Sequence, residues 1–138
     1  MAASPQYTNR VISASVAITV ANTNRDGATG TYATGYTFTA AASGGLGGRI
    51  DAITIVGTGA STTAGMLRMF VNAALVREIA VSALTPSATV KGYTIPTTEG
   101  ADANGRLPIG MVCQPGDVVK FTTHNGEAFI ARIEGGEF

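Results

Sequence analysis

Apolar and polar residues alternate with a period of two along much of the chain, the pattern of half-buried β-strands. From Arg10 to Ala21 the even positions Ile12, Ala14, Val16, Ile18 and Val20 form an apolar face. The odd positions Ser13, Ser15, Ala17, Thr19 and Ala21 are small and uncharged, so that face can approach another surface closely. Asn22 to Thr31 reads as a turn-rich loop around an Asp26-Gly27 step. Gly35 to Ala42 predicts a second strand, followed by the flexible run Ser43-Gly44-Gly45-Leu46-Gly47-Gly48. Arg49 to Val56 is apolar on both faces, which predicts a central strand.

Met66 to Val71 and Leu75 to Val81 predict a hairpin around Asn72-Ala73-Ala74. In that register Arg68 stands across from Glu78, opposite charges on facing strands. Leu67, Met69, Val71, Leu75 and Ile79 gather on the other face, with Arg77 the exception. Thr89 to Ile95 predicts another strand, ended by Pro96. Thr97 to Gly105 is a polar loop, Arg106 to Cys113 a short strand, and Gln114-Pro115-Gly116-Asp117 a turn. Val118 to Thr123 and Ala128 to Ile133 flank Asn125-Gly126, the strongest two-residue hairpin signal. That hairpin would place Val119, Phe121, Ala128 and Ile130 on one face and Val118, Phe129 and Ile133 on the other. Apolar on both sides, it needs a second sheet on one side and a loop or neighbouring subunit on the other. Val118, Phe129 and Ile133 are therefore candidate subunit contacts.

Strong helix formers are scarce, β-branched residues are abundant, and no stretch has a sustained period of 3.6. The elements predict an all-β, single-domain β-sandwich of jelly-roll-like type over residues 10–138, preceded by an extended N-terminal arm over residues 1–9. A chain of 138 residues, 45% of them hydrophobic, is long and apolar enough for one real core. No apolar run approaches the ~20 residues of a membrane helix. Met1-Ala2-Ala3-Ser4-Pro5 has neither a basic region nor an apolar stretch, so no secretion signal is expected.

Charge changes the picture more. Nine basic residues balance nine acidic ones without a basic stripe, which disfavours nucleic acid as a partner. Only 13% of residues are charged, against about 25% in an average soluble protein. Val11 to Asn24, Gly27 to Gly48 and Ala52 to Leu67 carry no charge. A surface this neutral implies cover by other subunits or partners.

Candidate chemistry is sparse. Cys113 and His124 are the single cysteine and histidine, too few for zinc and without the orienting third group of a nucleophilic dyad. Cys113 has an apolar context and reads as a buried thiol, and His124 reads as a turn-flanking residue. Asp26, Asp102 and Asn104 lie in loops but form no ordered calcium-ligand series. The segments Gly44 to Gly48 and Gly57 to Gly65 lack the Gly-Lys-Ser/Thr ending of a phosphate loop. No catalytic, cofactor or metal site is expected, and the chain reads as a binding and assembling protein rather than an enzyme. With no Trp, a sugar-stacking platform could be built only from Tyr32, Tyr36 and Tyr93.

Residues 47–138, about two-thirds of the chain, resemble a group of small tailed-bacteriophage virion proteins. The resemblance is carried by Gly48-Arg49-Ile50-Asp51-Ala52-Ile53-Thr54-Ile55 and by Gly59-Ala60-Ser61-Thr62-Thr63-Ala64-Gly65-Met66-Leu67-Arg68-Met69-Phe70. Arg77-Glu78-Ile79-Ala80-Val81 and Thr85-Pro86-Ser87-Ala88-Thr89-Val90 extend it. Leu107-Pro108-Ile109-Gly110, Thr123-His124-Asn125-Gly126-Glu127-Ala128-Phe129 and the closing Glu134-Gly135-Gly136-Glu137-Phe138 complete it. It implies a capsid decoration, or cement, protein on the outer capsid surface of the virion. There it would act as a homotrimer, bind the major capsid protein and bridge neighbouring capsomers, with no nucleic-acid or membrane partner. Ala2, Ala3, Ser4, Pro5, Gln6 and Tyr7 of the arm are the expected capsid contact, since a terminus gains most by ordering on a partner. A tail, baseplate or fibre component, or a carbohydrate-binding module, would share many of these features.

Overall fold

A computed structural model describes residues 10–138. Eight strands follow one another: β1 (Arg10–Ile18), β2 (Ala33–Thr37), β3 (Gly48–Gly57), β4 (Gly65–Val71), β5 (Ala74–Val81), β6 (Arg106–Cys113), β7 (Val118–Thr123) and β8 (Phe129–Glu137). Two single 3₁₀ turns lie at Ala41–Ser43 and Thr97–Glu99. The strands form two four-stranded sheets, β1-β8-β3-β6 and β2-β7-β4-β5. Every ladder between them is antiparallel.

The pairing has a simple logic. First pairs with last, β2 with β7, β3 with β6 and β4 with β5. The chain is thus one long hairpin, its tip at Asn72-Ala73, rolled so that successive pairs fall alternately in the two sheets. That winding makes the sandwich a jelly roll. The inner faces meet in one core. Ile12, Ile18, Ile50, Ile53, Ile55, Phe129, Ala131 and Ile133 enter from the first sheet. Leu67, Met69, Ile79, Val81, Val119 and Phe121 enter from the second. Tyr93 packs edge-on against Phe129, and Tyr36 against Phe38, the arrangement that ring quadrupoles favour.

Several expectations hold in register. Along β1 the even residues Ile12 and Ile18 are buried and the odd ones exposed. The strand stops at Ile18, however, and Val20 is exposed beyond it. β3 is central, flanked by β8 and β6. Arg68 stands opposite Glu78, and its Nε donates to Glu78 Oε1 at 3.0 Å. The turn that sets this register is one residue shorter than the spacing predicts. Val71 pairs with Ala74 rather than Leu75, and a bulge at Val76 restores the Arg68–Glu78 pairing. Asn72 adopts φ 53° at the tip, a left-handed conformation that asparagine tolerates. Its side chain donates to Asp117 Oδ1 and accepts from the Val118 amide, tying the tip to β7.

Two expected elements are not there. Thr89 to Ile95 forms no strand. Only Thr94 bridges to Val56, and the Gly57 amide donates to the Tyr93 carbonyl. The ladder of β6 on β3 runs out at Thr54, so little of the β3 edge is free. Gly92 and Pro96 bracket the segment, which buries Tyr93 and Ile95 against the end of the sandwich instead. The Asn125-Gly126 hairpin is the larger correction. β7 lies between β2 and β4, β8 between β1 and β3, so the turn is a corner joining the two sheets. Phe129 and Ile133 consequently point into the core and are fully buried, while Ile130 faces out. Neither Phe129 nor Ile133 is accessible as a subunit contact, and Val118 is half-buried at the start of β7.

Candidate functional site: the two outer sheet faces

The outer face of the second sheet is covered by the chain itself. Inward and outward residues alternate along β4, so Phe70 faces away from Met69 and the core, yet both are fully buried. The cover is the loop between β1 and β2. Tyr32 packs edge-on against Phe70 with ring centroids 5.3 Å apart. Lys120, the β7 neighbour of Phe70, places its ammonium 4.5 Å from the centroid of Tyr32 and donates to the Gly27 carbonyl. Arg25 reaches Glu78 at 3.0 Å, so Glu78 holds one arginine from the loop and one from β4. Asp26 and Asn22 shape the loop from within. Asp26 accepts from the Ala28 and Thr29 amides and from the hydroxyls of Thr29 and Tyr32. The hydroxyl and amide of Thr29 lead the set that holds its carboxyl far below the usual range. Asn22 donates to the Thr29 and Thr31 carbonyls.

The outer face of the first sheet has no such cover among the described residues. It bears Val11 (78% exposed), Val112 (65%), Val56 (43%) and Ile130 (37%). Cross-strand rows order it. Val11, Gly136, Arg49 and Val112 form one row, and Ala17, Ile130 and Val56 another. Between them the Arg106 guanidinium meets Glu134 at 2.9 Å, and Arg132 donates to the Ser13 hydroxyl at 2.7 Å. The surface is therefore flat, aliphatic at its ends and internally charge-paired at its centre.

One polar cluster sits at the corner between β7 and β8. Glu127 Oε1 accepts from the Thr63 amide and hydroxyl, both at 2.6 Å, and from Asn125 Nδ2 at 3.0 Å. Asn125 Nδ2 also donates to Thr63 Oγ1, and His124 Nε2 lies 3.1 Å from the same oxygen. A relay would need a carboxylate on one imidazole nitrogen and the nucleophile on the other. Here Thr63 and Glu127 both lie on the Nε2 side, and Nδ1 has no hydrogen-bond partner among the described residues. The cluster is a clasp that fastens the β3–β4 loop to the corner. Cys113 and His124 stand at opposite ends of β7, about 20 Å of strand apart. Burial first, and Asp117 second, push the Cys113 thiol up to about 11, which keeps it protonated.

The remaining candidates are spread out. Tyr93 is buried and donates to the Ala80 carbonyl, and Tyr32 and Tyr36 are half-buried against Phe70 and Phe38. None of the three joins another in a common platform. Asp102 accepts from the Asn104 and Arg106 amides and closes its own loop. Among the described residues no three His, Cys, Asp or Glu side chains gather as a metal site. The expected capsid-contact residues Ala2 to Tyr7 lie outside the described residues. No family model, curated protein or solved structure matches the chain.

Two buried-edge glutamates give the fold an acid limit. Burial alone would raise the Glu137 carboxyl. The amide and hydroxyl of Thr39, with Tyr36 and Arg10, outweigh burial and hold it below the ordinary 4.5. In Glu127 burial is likewise outweighed, by Thr63, Asn125 and His124. A carboxyl depressed in the folded state contributes stability that is fully present above its unfolded pKa and is lost as pH falls through the folded one. The melting temperature should therefore be flat down to about pH 5 and then fall as acid is added. Glu127→Gln and Glu137→Gln should each be less stable at neutral pH and show a shallower acid decline. An unchanged acid slope in both variants would contradict this origin.

Proposed function

We propose that this chain is a structural protein of a bacteriophage particle, a decoration or cement protein that binds the outer capsid shell and stabilises contacts between capsomers. The observation that carries the reading is the contrast between the two outer faces. One is closed by the chain's own loop, and the other leaves Val11, Val56, Val112 and Ile130 exposed toward the ends of a sheet face whose centre carries Arg106, Glu134 and Arg132. A face like that serves contact rather than turnover. The resemblance of residues 47–138 to virion proteins supplies the setting, and a jelly roll is a fold that viral shells share with lectins and other proteins. In this reading the major capsid protein is the partner, Ala2 to Tyr7 form a further shell contact, and the copies associate as trimers.

The test is co-sedimentation of purified protein with capsid shells stripped of it. Saturable binding that Val112→Glu and Ile130→Glu weaken, without change in melting temperature, is the expected result. Binding to tails or to glycans but not to shells would replace the decoration reading with one of its rivals.

A further inference from the structure

The four edge strands of the sandwich are not equivalent. β6 carries Pro108 and a left-handed Gly110, and its ladder is broken by a register shift at β3. β2 has five residues and a shift between Thr34 and Tyr36. β5 has the bulge at Val76 followed by exposed Arg77. These are the devices by which natural sheets protect an open edge. β1 has none of them. It keeps an unbroken nine-residue register with β8, from Arg10 against Glu137 to Ile18 against Phe129, and β8 is its only strand neighbour among the described residues. It contains no proline, no glycine and no charge after Arg10. Its outer edge offers a straight row of backbone donors and acceptors, with exposed Val11, Ser13, Ser15 and Ala17 on the adjoining face.

We propose that this edge is a homotypic interface, in which β1 of two copies pairs antiparallel about a twofold axis at Ala14. The sequence of the strand fits a second copy. Ile12-Ser13-Ala14-Ser15-Val16 reads chemically the same in both directions, so the twofold sets Ser13 against the partner's Ser15 and Ile12 against the partner's Val16. Ala14 meets itself, and Val11 meets the partner's Ala17. On the outside serine faces serine and Val11 faces alanine, and on the inside the β-branched Ile12 and Val16 extend the core. Charge agrees as well. Ser13 lies beside Glu134 and Ser15 beside Arg132. Each outer row across the joint therefore runs from Glu134 through Ser13 and the partner's Ser15 to the partner's Arg132. Arg132 already leans over β1 to Ser13, toward that joint. The result is a continuous eight-stranded sheet with the two uncovered faces side by side. A twofold contact is separate from the threefold association proposed above, and on a shell it would tie neighbouring trimers together.

The test uses the full chain. Ala14→Cys lies on the axis, where facing Cα atoms of an antiparallel pair are about 4.5–5.5 Å apart, within disulfide reach. Mild oxidation should convert it to a covalent dimer. Ala17→Cys, whose partner copy would be about 20 Å away along the strand, should stay uncrosslinked. Ser13→Lys, an exposed edge charge, should raise the self-dissociation constant by about tenfold or more in sedimentation equilibrium and leave the melting temperature unchanged. Wild-type protein that is monomeric at high concentration, equal cross-linking at Ala14 and Ala17, or a Ser13→Lys variant that associates normally would each overturn the proposal. Shell binding by a protein with no β1 contact would leave the proposed function standing and remove only this inference.

Discussion

Replacing Phe129 with alanine is expected to lower the unfolding free energy by about 3–5 kcal/mol. Phe129 is fully buried at the start of β8, paired with Ile18 on one side and Gly57 on the other. Its ring lies 5.8 Å from that of Tyr93, edge to face. Tyr93 is fixed by its hydroxyl on the Ala80 carbonyl, so it cannot swing in to fill the space. The cavity left between two hydrogen-bonded sheets would collapse poorly, which puts the change toward the costly end of such truncations. For a domain of this size that is a fall in melting temperature of roughly 10–20 °C. Ile130, the next residue, points outward, and Ile130→Ala should cost less than about 1 kcal/mol. Urea unfolding of the two variants reads the difference directly. If Phe129→Ala changed only the association state and kept its stability, β8 would have to face the other way.

That pair of neighbours also shows where the sequence is silent. Alternation along β1 is clear because one face is apolar and the other is serine and alanine, so its inward set can be read residue by residue. Arg68 and Glu78 declare their register by charge, even though the turn length they implied is wrong by one and a bulge makes up the difference. What local pattern cannot carry is the choice of sheet. Asn-Gly between two apolar runs favours a two-residue hairpin turn, but five residues separate β7 from β8 and the strands on either side already have two partners each. In a jelly roll the long-range pairs β1 with β8 and β2 with β7 decide the matter. The cover over Phe70 was equally hidden. Nothing near Phe70 in the chain says that Tyr32, thirty-eight positions earlier, will lie on it. The clasp at Thr63 could have been suspected from the polar run His124-Asn125-Gly126-Glu127, but its partner loop is brought in by the fold alone. Low overall charge singles out no face, and the exposed aliphatic side chains of the first sheet are recognised only once the fold sets which residues point outward.

Gly27→Val tests whether the loop over the second sheet is held as closely as its contacts imply. Gly27 has φ +68°, a conformation that a β-branched residue resists. An added Cβ would also stand 2.6 Å from the Ala73 carbonyl carbon and Cα and 2.7 Å from its oxygen. These are backbone atoms at the hairpin tip, which Asn72 ties to Asp117 and Val118, so the tip cannot yield and the loop must lift. Lifting it parts Lys120 from the Gly27 carbonyl, Arg25 from Glu78 and Tyr32 from Phe70. Backbone strain of about 1–2 kcal/mol, with partial exposure of one phenylalanine at about 1.5–3 kcal/mol, suggests a loss of roughly 2–4 kcal/mol once relaxation is allowed. Hydrogen exchange should speed up across residues 22–32 while β8 and β3 stay protected, and the variant should bind more of a hydrophobic dye than the wild type does. The face uncovered among the described residues lies on the other sheet, so the proposed self-association through β1 and the proposed binding to shells should survive at temperatures where the domain remains folded. Slow exchange in the loop and an unchanged melting temperature would mean that the loop tolerates a side chain there, and that Phe70 owes its burial to something other than the approach of Gly27 to Ala73.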